Sequence, residues 1–188
     1  MFDASPPIRR RGCQLPLSFL QVAVAAYYLC LTTLTFVCIA LCASPASQAW
    51  LYPITASLSF VCVACYLVCC LSDVTEPGGI PCPCMSTQQN DIYDHTSGAT
   101  IPGFDHFCVF MNVAVGKKTY FYFFMLALGG CLQFSWQVAS LSAVAAGPWR
   151  AEGESPLSQT SKTVFAAVMA FLGVSGVASF GSLCTFHS

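Results

Sequence analysis

The stretch LSFLQVAVAAYYLCLTTLTFVCIALCA, residues 17–43, contains no charged side chain. A helix rises about 1.5 Å per residue and needs about 20 residues to cross a hydrocarbon core some 30 Å thick. This run is therefore long enough to span a membrane. It is too long, and too poor in a small-residue cleavage site, to read as a removable signal peptide. Three further runs share its character. Trp50–Leu71 follows the short turn SPASQA at 44–49, a third begins at Tyr120 and extends to about Ala146, and a fourth covers about Thr163–Leu183. The fourth carries Gly173, Gly176 and Gly181, small residues that let a neighbouring helix approach closely. None of the runs has the polar face that a buried core helix of a water-soluble protein would show.

Composition leads to the same environment. The 188 residues are 56% hydrophobic and 8% charged, against roughly 25% charged in an ordinary soluble domain. So few charges cannot coat a globule of this size in water. A net charge of −1 gives no electrostatic footprint for nucleic acid. The expected fold is an all-α membrane protein with four transmembrane helices. Its parts are an N-terminal tail (1–16), spans 1 and 2 (17–71), a polar loop (72–119), spans 3 and 4 (120–183) and a short tail (184–188).

Basic residues near span ends set orientation. With four spans, both tails and the 72–119 loop share one side, which holds Arg9, Arg10, Arg11, Lys117 and Lys118. The other side has Arg150 and Lys162. The excess places the loop between the second and third spans in the cytosol.

Thirteen cysteines would suggest disulfides in a secreted chain. Here Cys30, Cys38, Cys42, Cys62, Cys65, Cys131 and Cys184 lie in or beside apolar runs, where cysteine behaves as a small hydrophobe. A cytosolic loop keeps Cys82, Cys84 and Cys108 reduced. Cys69 and Cys70, at the end of the second span, fit either acylation sites or packing residues.

The loop ends in GFDHFCVFMNVAVGKKTYFYFF, residues 103–124. A thiol attacks as its thiolate, and a free cysteine with a pKa of about 8.5 is mostly protonated near neutrality. A histidine two residues away can take that proton or stabilise the thiolate as imidazolium. An adjacent carboxylate can orient the ring and favour its charged form. Asp105, His106 and Cys108 supply these three groups in order. The other reading of the same string is a capped turn holding a structural cysteine.

The surroundings resemble the signature of the DHHC-type protein S-acyltransferases, the palmitoyltransferases. Asp105, His106 and Cys108 match that signature, Asn112 falls where asparagine is common, Val115-Gly116 fall at its Val-Gly step, and Tyr120 at its tyrosine. TEPGGIP at 75–81 is similar to the family's Asp-Pro-Gly motif, with Glu76 in place of aspartate. Four spans with the motif in the loop between the second and third is also the family's architecture. The resemblance implies an enzyme that takes a long acyl group from acyl-CoA, its co-substrate, onto Cys108. His106 would act as base and Asp105 as its orienting group. The acyl chain would then pass to a cytosolic cysteine of a membrane-associated protein, the helix bundle providing an apolar slot worth about 0.8 kcal/mol per CH₂ buried. It further implies a multi-pass protein of the Golgi or endoplasmic reticulum membrane.

The departures concern metal. The family holds two zinc ions in this loop with cysteines and histidines. By alignment on Cys108, Asp94, Ser97 and Thr100 stand at three of those cysteines, Tyr93 and Phe107 at two histidines, and Ala114 at a downstream cysteine. Zinc prefers thiolate and imidazole ligands, and only Cys82, Cys84 and His95 survive, off register. No family-type zinc site and no tightly bound cofactor is expected, and MSTQQNDIYDHTSGAT at 85–100 is expected to be loosely ordered. The family's Thr-Thr-x-Glu motif after the fourth span finds no match before Ser188. Two functional classes follow: an acyltransferase working through Cys108, or a non-catalytic four-span scaffold or partner subunit derived from the same family.

Overall fold

The computed structural model describes residues 8–81 and 90–146, with scattered positions between 158 and 174. Three helices dominate: α1 (Phe19–Cys42), α2 (Pro45–Leu71) and α3 (Tyr120–Ala146). Each contains a stretch long and apolar enough to cross a membrane, and the chain is an integral membrane protein. The fourth run, Thr163–Leu183, lies outside the described residues apart from those scattered positions.

The expected turn at 44–49 is shorter than its sequence suggests. Pro45 is the first residue of α2, a position where its missing N–H costs nothing. Ser44 caps the helix, its Oγ accepting from the Ser47 N–H at 3.2 Å.

The fold is not all-α. The segment before α3 forms two antiparallel hairpins: β1 (Ile92–Asp94) with β2 (Ala99–Ile101), and β3 (His106–Cys108) with β4 (Val113–Val115). β-Branched and aromatic residues populate these strands, and each reversal contains a residue in the left-handed region, Gly98 at φ 67° and Asn112 at φ 55°. Glycine and asparagine tolerate that conformation best. The register pairs Asp94 with Ala99, His106 with Val115 and Cys108 with Val113.

The first hairpin also corrects the expectation of a loosely ordered 85–100 segment over its described part, 90–100. Asp94 closes the turn: its Oδ2 accepts from the Ser97 N–H at 2.8 Å and its Oδ1 from the Thr96 N–H at 3.2 Å. Its carbonyl accepts from the Gly98 N–H at 2.8 Å. These bonds supply a local closure that needs no metal.

The chain divides into two compact units. One unit contains residues up to Ala25 and Val63–Leu126, and so holds both hairpins. Within it, the N-terminal segment threads between several parts. The Arg9 N–H donates to the Ser97 carbonyl at 2.7 Å, Val74 N–H to Arg10 O at 3.1 Å and Cys13 N–H to Cys70 O at 3.3 Å. Gln21 Nε2 donates to the carbonyls of Gly12 and Met111, both at 3.2 Å. Gly12 is obligatory there, since a Cβ would strike Met111 O and sit 3.2 Å from Cys70 Cα. Cys69 and Cys70 are fully buried, which makes them packing residues in this fold.

The other unit contains Ala26–Cys62 and the chain from Ala127 onward. Its apolar core includes Leu31, Ile39, Leu51, Phe134 and Leu141. A polar node lies among these residues. The Tyr28 hydroxyl donates to Gln133 Oε1 at 2.6 Å, while Gln133 Nε2 donates to Ser59 Oγ at 3.0 Å and Thr32 Oγ1 at 3.3 Å. Trp136 Nε1 donates to Thr55 Oγ1 at 3.0 Å.

Candidate functional site

In a strand, residues two apart project from the same face. Because residues 106–108 form β3, the spacing His-x-Cys places the His106 and Cys108 side chains on one face and Phe107 on the other. The hairpin therefore does the work that sequence spacing alone could not specify. Asp105 precedes the strand and is fixed to β4 through its N–H, which donates to Val115 O at 2.9 Å. Its Oδ2 lies 2.7 Å from His106 Nδ1. His106 is in turn hydrogen-bonded to the Cys108 side chain. All three residues singled out in the sequence are thus brought together in one line.

The electrostatics of His106 follow from opposing effects. Burial alone would push the imidazole below its ordinary value. The hydrogen bond His106 donates to the Asp105 carboxylate, the hydrogen bond and charge of Cys108, and the Asp105 charge outweigh it and raise the pKa to about 9. Near neutral pH the ring is an imidazolium held between a carboxylate and a sulfur. Phe123, on the first turn of α3, packs edge-on to it with ring centroids 5.1 Å apart at 68°. Phe123 was not singled out in the sequence, where it is one of several aromatics following the motif. Only the packing of α3 distinguishes it from Phe121 or Phe124. Cys108 is 6% exposed.

The neighbouring turn is held by local charge. The Thr75 hydroxyl and N–H donate to Asp73 Oδ1 at 2.6 and 3.0 Å. Burial would raise the Asp73 pKa, but these bonds and the nearby Arg10 and Arg11 bring it below the usual carboxylate range. Glu76, in the TEPGGIP segment, pairs with Lys118. Gly79 has φ +126°, and a Cβ there would meet the Lys117 carbonyl and lie 2.8 Å from Lys118 Cα. The backbone of this segment therefore lies against the residues that lead into α3.

Zinc does not fit the donors present in the described part of the loop. Both Asp94 oxygens accept backbone N–H groups. Thr100 is the exposed central residue of β2, opposite Tyr93, and Ala114 is fully buried in β4. Phe107 faces Ala114 across the ladder, so an apolar pair occupies two of the family's ligand positions. Among the described residues no three His, Cys, Asp or Glu side chains cluster as a metal site. Cys82 and Cys84 lie outside the described residues.

No curated protein was found to match the chain. The family model for DHHC palmitoyltransferases matches residues 82–188. That match covers more than half of the 188 residues and includes both hairpins, the Asp-His-x-Cys strand and α3. With membrane-spanning helices before and after the hairpins, the chain belongs to the DHHC palmitoyltransferase family.

Proposed function

We propose that the protein is a protein-cysteine S-palmitoyltransferase in which Cys108 is the nucleophile, His106 the proton-transfer group and Asp105 its orienting partner. The observation that carries this reading is the set of Asp105, His106 and Cys108, joined by hydrogen bonds along β3 and the residue just before it. The Cys108 thiolate attacks the thioester carbonyl of acyl-CoA. A new S–C bond forms, the bond from carbonyl to the CoA sulfur breaks, and His106 gives its proton to the departing CoA thiolate. In the second half, neutral His106 takes the proton of a substrate thiol. That sulfur attacks the acyl-Cys108 carbonyl, and Cys108 leaves as thiolate. No step passes through a metal.

The substrates in this reading are acyl-CoA and membrane-associated proteins with cysteines on the cytosolic side, where the basic residues place the hairpins. Residence in the Golgi or endoplasmic reticulum membrane is part of the same proposal. A second reading, a non-catalytic scaffold or partner subunit, is favoured by one observation, the near-complete burial of the Cys108 thiol. Incubating purified protein with labelled palmitoyl-CoA and releasing label with hydroxylamine separates the two. Hydroxylamine-labile label on wild type and none on Cys108→Ser supports the enzyme. No label on wild type, alongside a labelled control acyltransferase, establishes the scaffold.

A further inference from the structure

The reversal between β3 and β4 is built from Val109, Phe110, Met111 and Asn112. Hairpin reversals favour Gly, Pro, Asn, Asp and Ser for their backbone and local hydrogen-bonding preferences, and Asn112 alone of these four residues is of that kind. Here Val109 and Phe110 are 46% and 40% exposed. The same reversal is fastened to the first turn of α1 and the chain just before it. Ser18 Oγ donates to Val109 O at 3.1 Å, Gln21 Nε2 to Met111 O at 3.2 Å and Asn112 Nδ2 to Pro16 O at 3.4 Å. That lead-in segment is itself apolar and open, with Leu15 82% and Phe19 84% exposed. Phe19 is the first residue of α1, a helix long and apolar enough to cross a membrane, and Leu20 and Val22 just beyond it are exposed as well. Arg10 and Arg11 lie exposed a few residues before it.

We infer that the tip of the β3–β4 hairpin, together with residues 15–19, is a lipid-docking surface seated in the headgroup–acyl boundary of the leaflet through which α1 passes. Apolar side chains beside cations are the composition that such a boundary selects. The rings and aliphatic chains leave water, and the guanidinium groups meet lipid phosphates. Exposed apolar patches of this kind mark a partner surface rather than a solvated one. Continuity with a transmembrane helix identifies that partner as the bilayer. The three hydrogen bonds fix the depth of the hairpin relative to the start of α1. His106 and Cys108 are consequently held at a set height above the hydrocarbon, independently of the chemistry they perform.

The test uses the full chain in vesicles of phosphatidylcholine and phosphatidylserine, with the photoreactive residue benzoylphenylalanine placed at Phe110, at Leu15 or, as a comparison, at Tyr93. Tyr93 is also aromatic-sized and 53% exposed, but sits on β1 of the other hairpin. Enlargement at any of these open positions invades no core, and melting temperatures confirm that each variant is folded. On irradiation, positions 110 and 15 are expected to give about tenfold more phospholipid adduct than position 93, the partition worth of a phenyl ring half withdrawn from water. Adduct yields at 110 no greater than at 93, or adducts at 110 confined to the chain itself, would overturn the inference. Because the readout is lipid contact, it is independent of whether the protein transfers acyl groups.

Discussion

Replacing Asp105 by Asn tests the electrostatics of the site most directly. The side chain keeps its size and an acceptor oxygen, but loses the negative charge 2.7 Å from His106 Nδ1. A hydrogen bond to a charged group contributes about 1.5–3 kcal/mol, and each pH unit corresponds to about 1.4 kcal/mol. The imidazole, at about 9 in the native protein, should therefore fall by about one to two pH units in Asp105→Asn. The assay is nitrogen NMR of histidine-labelled protein in micelles between pH 5 and 10, with His106→Gln identifying the resonance. The chain contains three histidines, so assignment is tractable. A titration near the ordinary 6.5 in the wild type, or an unmoved one in Asp105→Asn, refutes the coupling of carboxylate and ring. The linkage to stability has a definite sign. Because the folded pKa lies above the unfolded one, the contribution is complete below pH 6.5 and disappears as pH rises through about 9. With about a third of the His106 side chain in water, screening reduces that contribution to about 1–2 kcal/mol. The hairpin unit should accordingly loosen in alkali, and Asp105→Asn should show less of that dependence.

Four other outcomes are expected. In the acyl-CoA assay, His106→Ala slows thioester formation by about 10² to 10⁴, and Asp105→Ala by less. Phe107→Leu retains much of the rate because Phe107 faces away from the thiol, and loss of rate there comparable with His106→Ala would contradict the strand geometry. Elemental analysis of purified protein should find less than one zinc per chain, since Asp94 spends its oxygens on backbone N–H groups; a value close to two would show that ligands were misplaced. Gly79→Ala should lower thermal stability more than Gly78→Ala: both have positive φ, but only at Gly79 does a Cβ meet the Lys117–Lys118 backbone, and equal effects would disprove the close approach. Gln133→Leu forfeits bonds to Tyr28, Thr32 and Ser59, a loss of about 1–2 kcal/mol at the usual worth of interhelical bonds in membranes; denaturation in sodium dodecyl sulfate measures it, and an unchanged midpoint would remove the node from the energetics.

The membrane-spanning helices were legible because charge-free runs of this length have few other solutions, and α3 begins at the residue, Tyr120, where its run begins. The hairpins were not legible. Strands of three residues are too short to display an alternating pattern, and the closure at Asp94 depends on a side chain folding back on its own backbone. Asp105, His106 and Cys108 could be chosen from their chemistry, but their meeting depends on β3. The role of Phe123 as a wall against the imidazole is a product of tertiary packing, and nothing within the aromatic run marks it.

The Gln133 node bears on how the helices choose one another. α1, α2 and α3 are apolar nearly all round, so greasy surface alone offers each many faces of similar merit. A helix turns about 100° from one residue to the next. Slipping α3 by a single position would swing the Gln133 amide away from Tyr28 on α1 and Ser59 on α2 at once. Leaving that amide in hydrocarbon is costly. The node thus works as a key in a lock of three tumblers: it breaks the rotational degeneracy of featureless cylinders and selects a single azimuth for each.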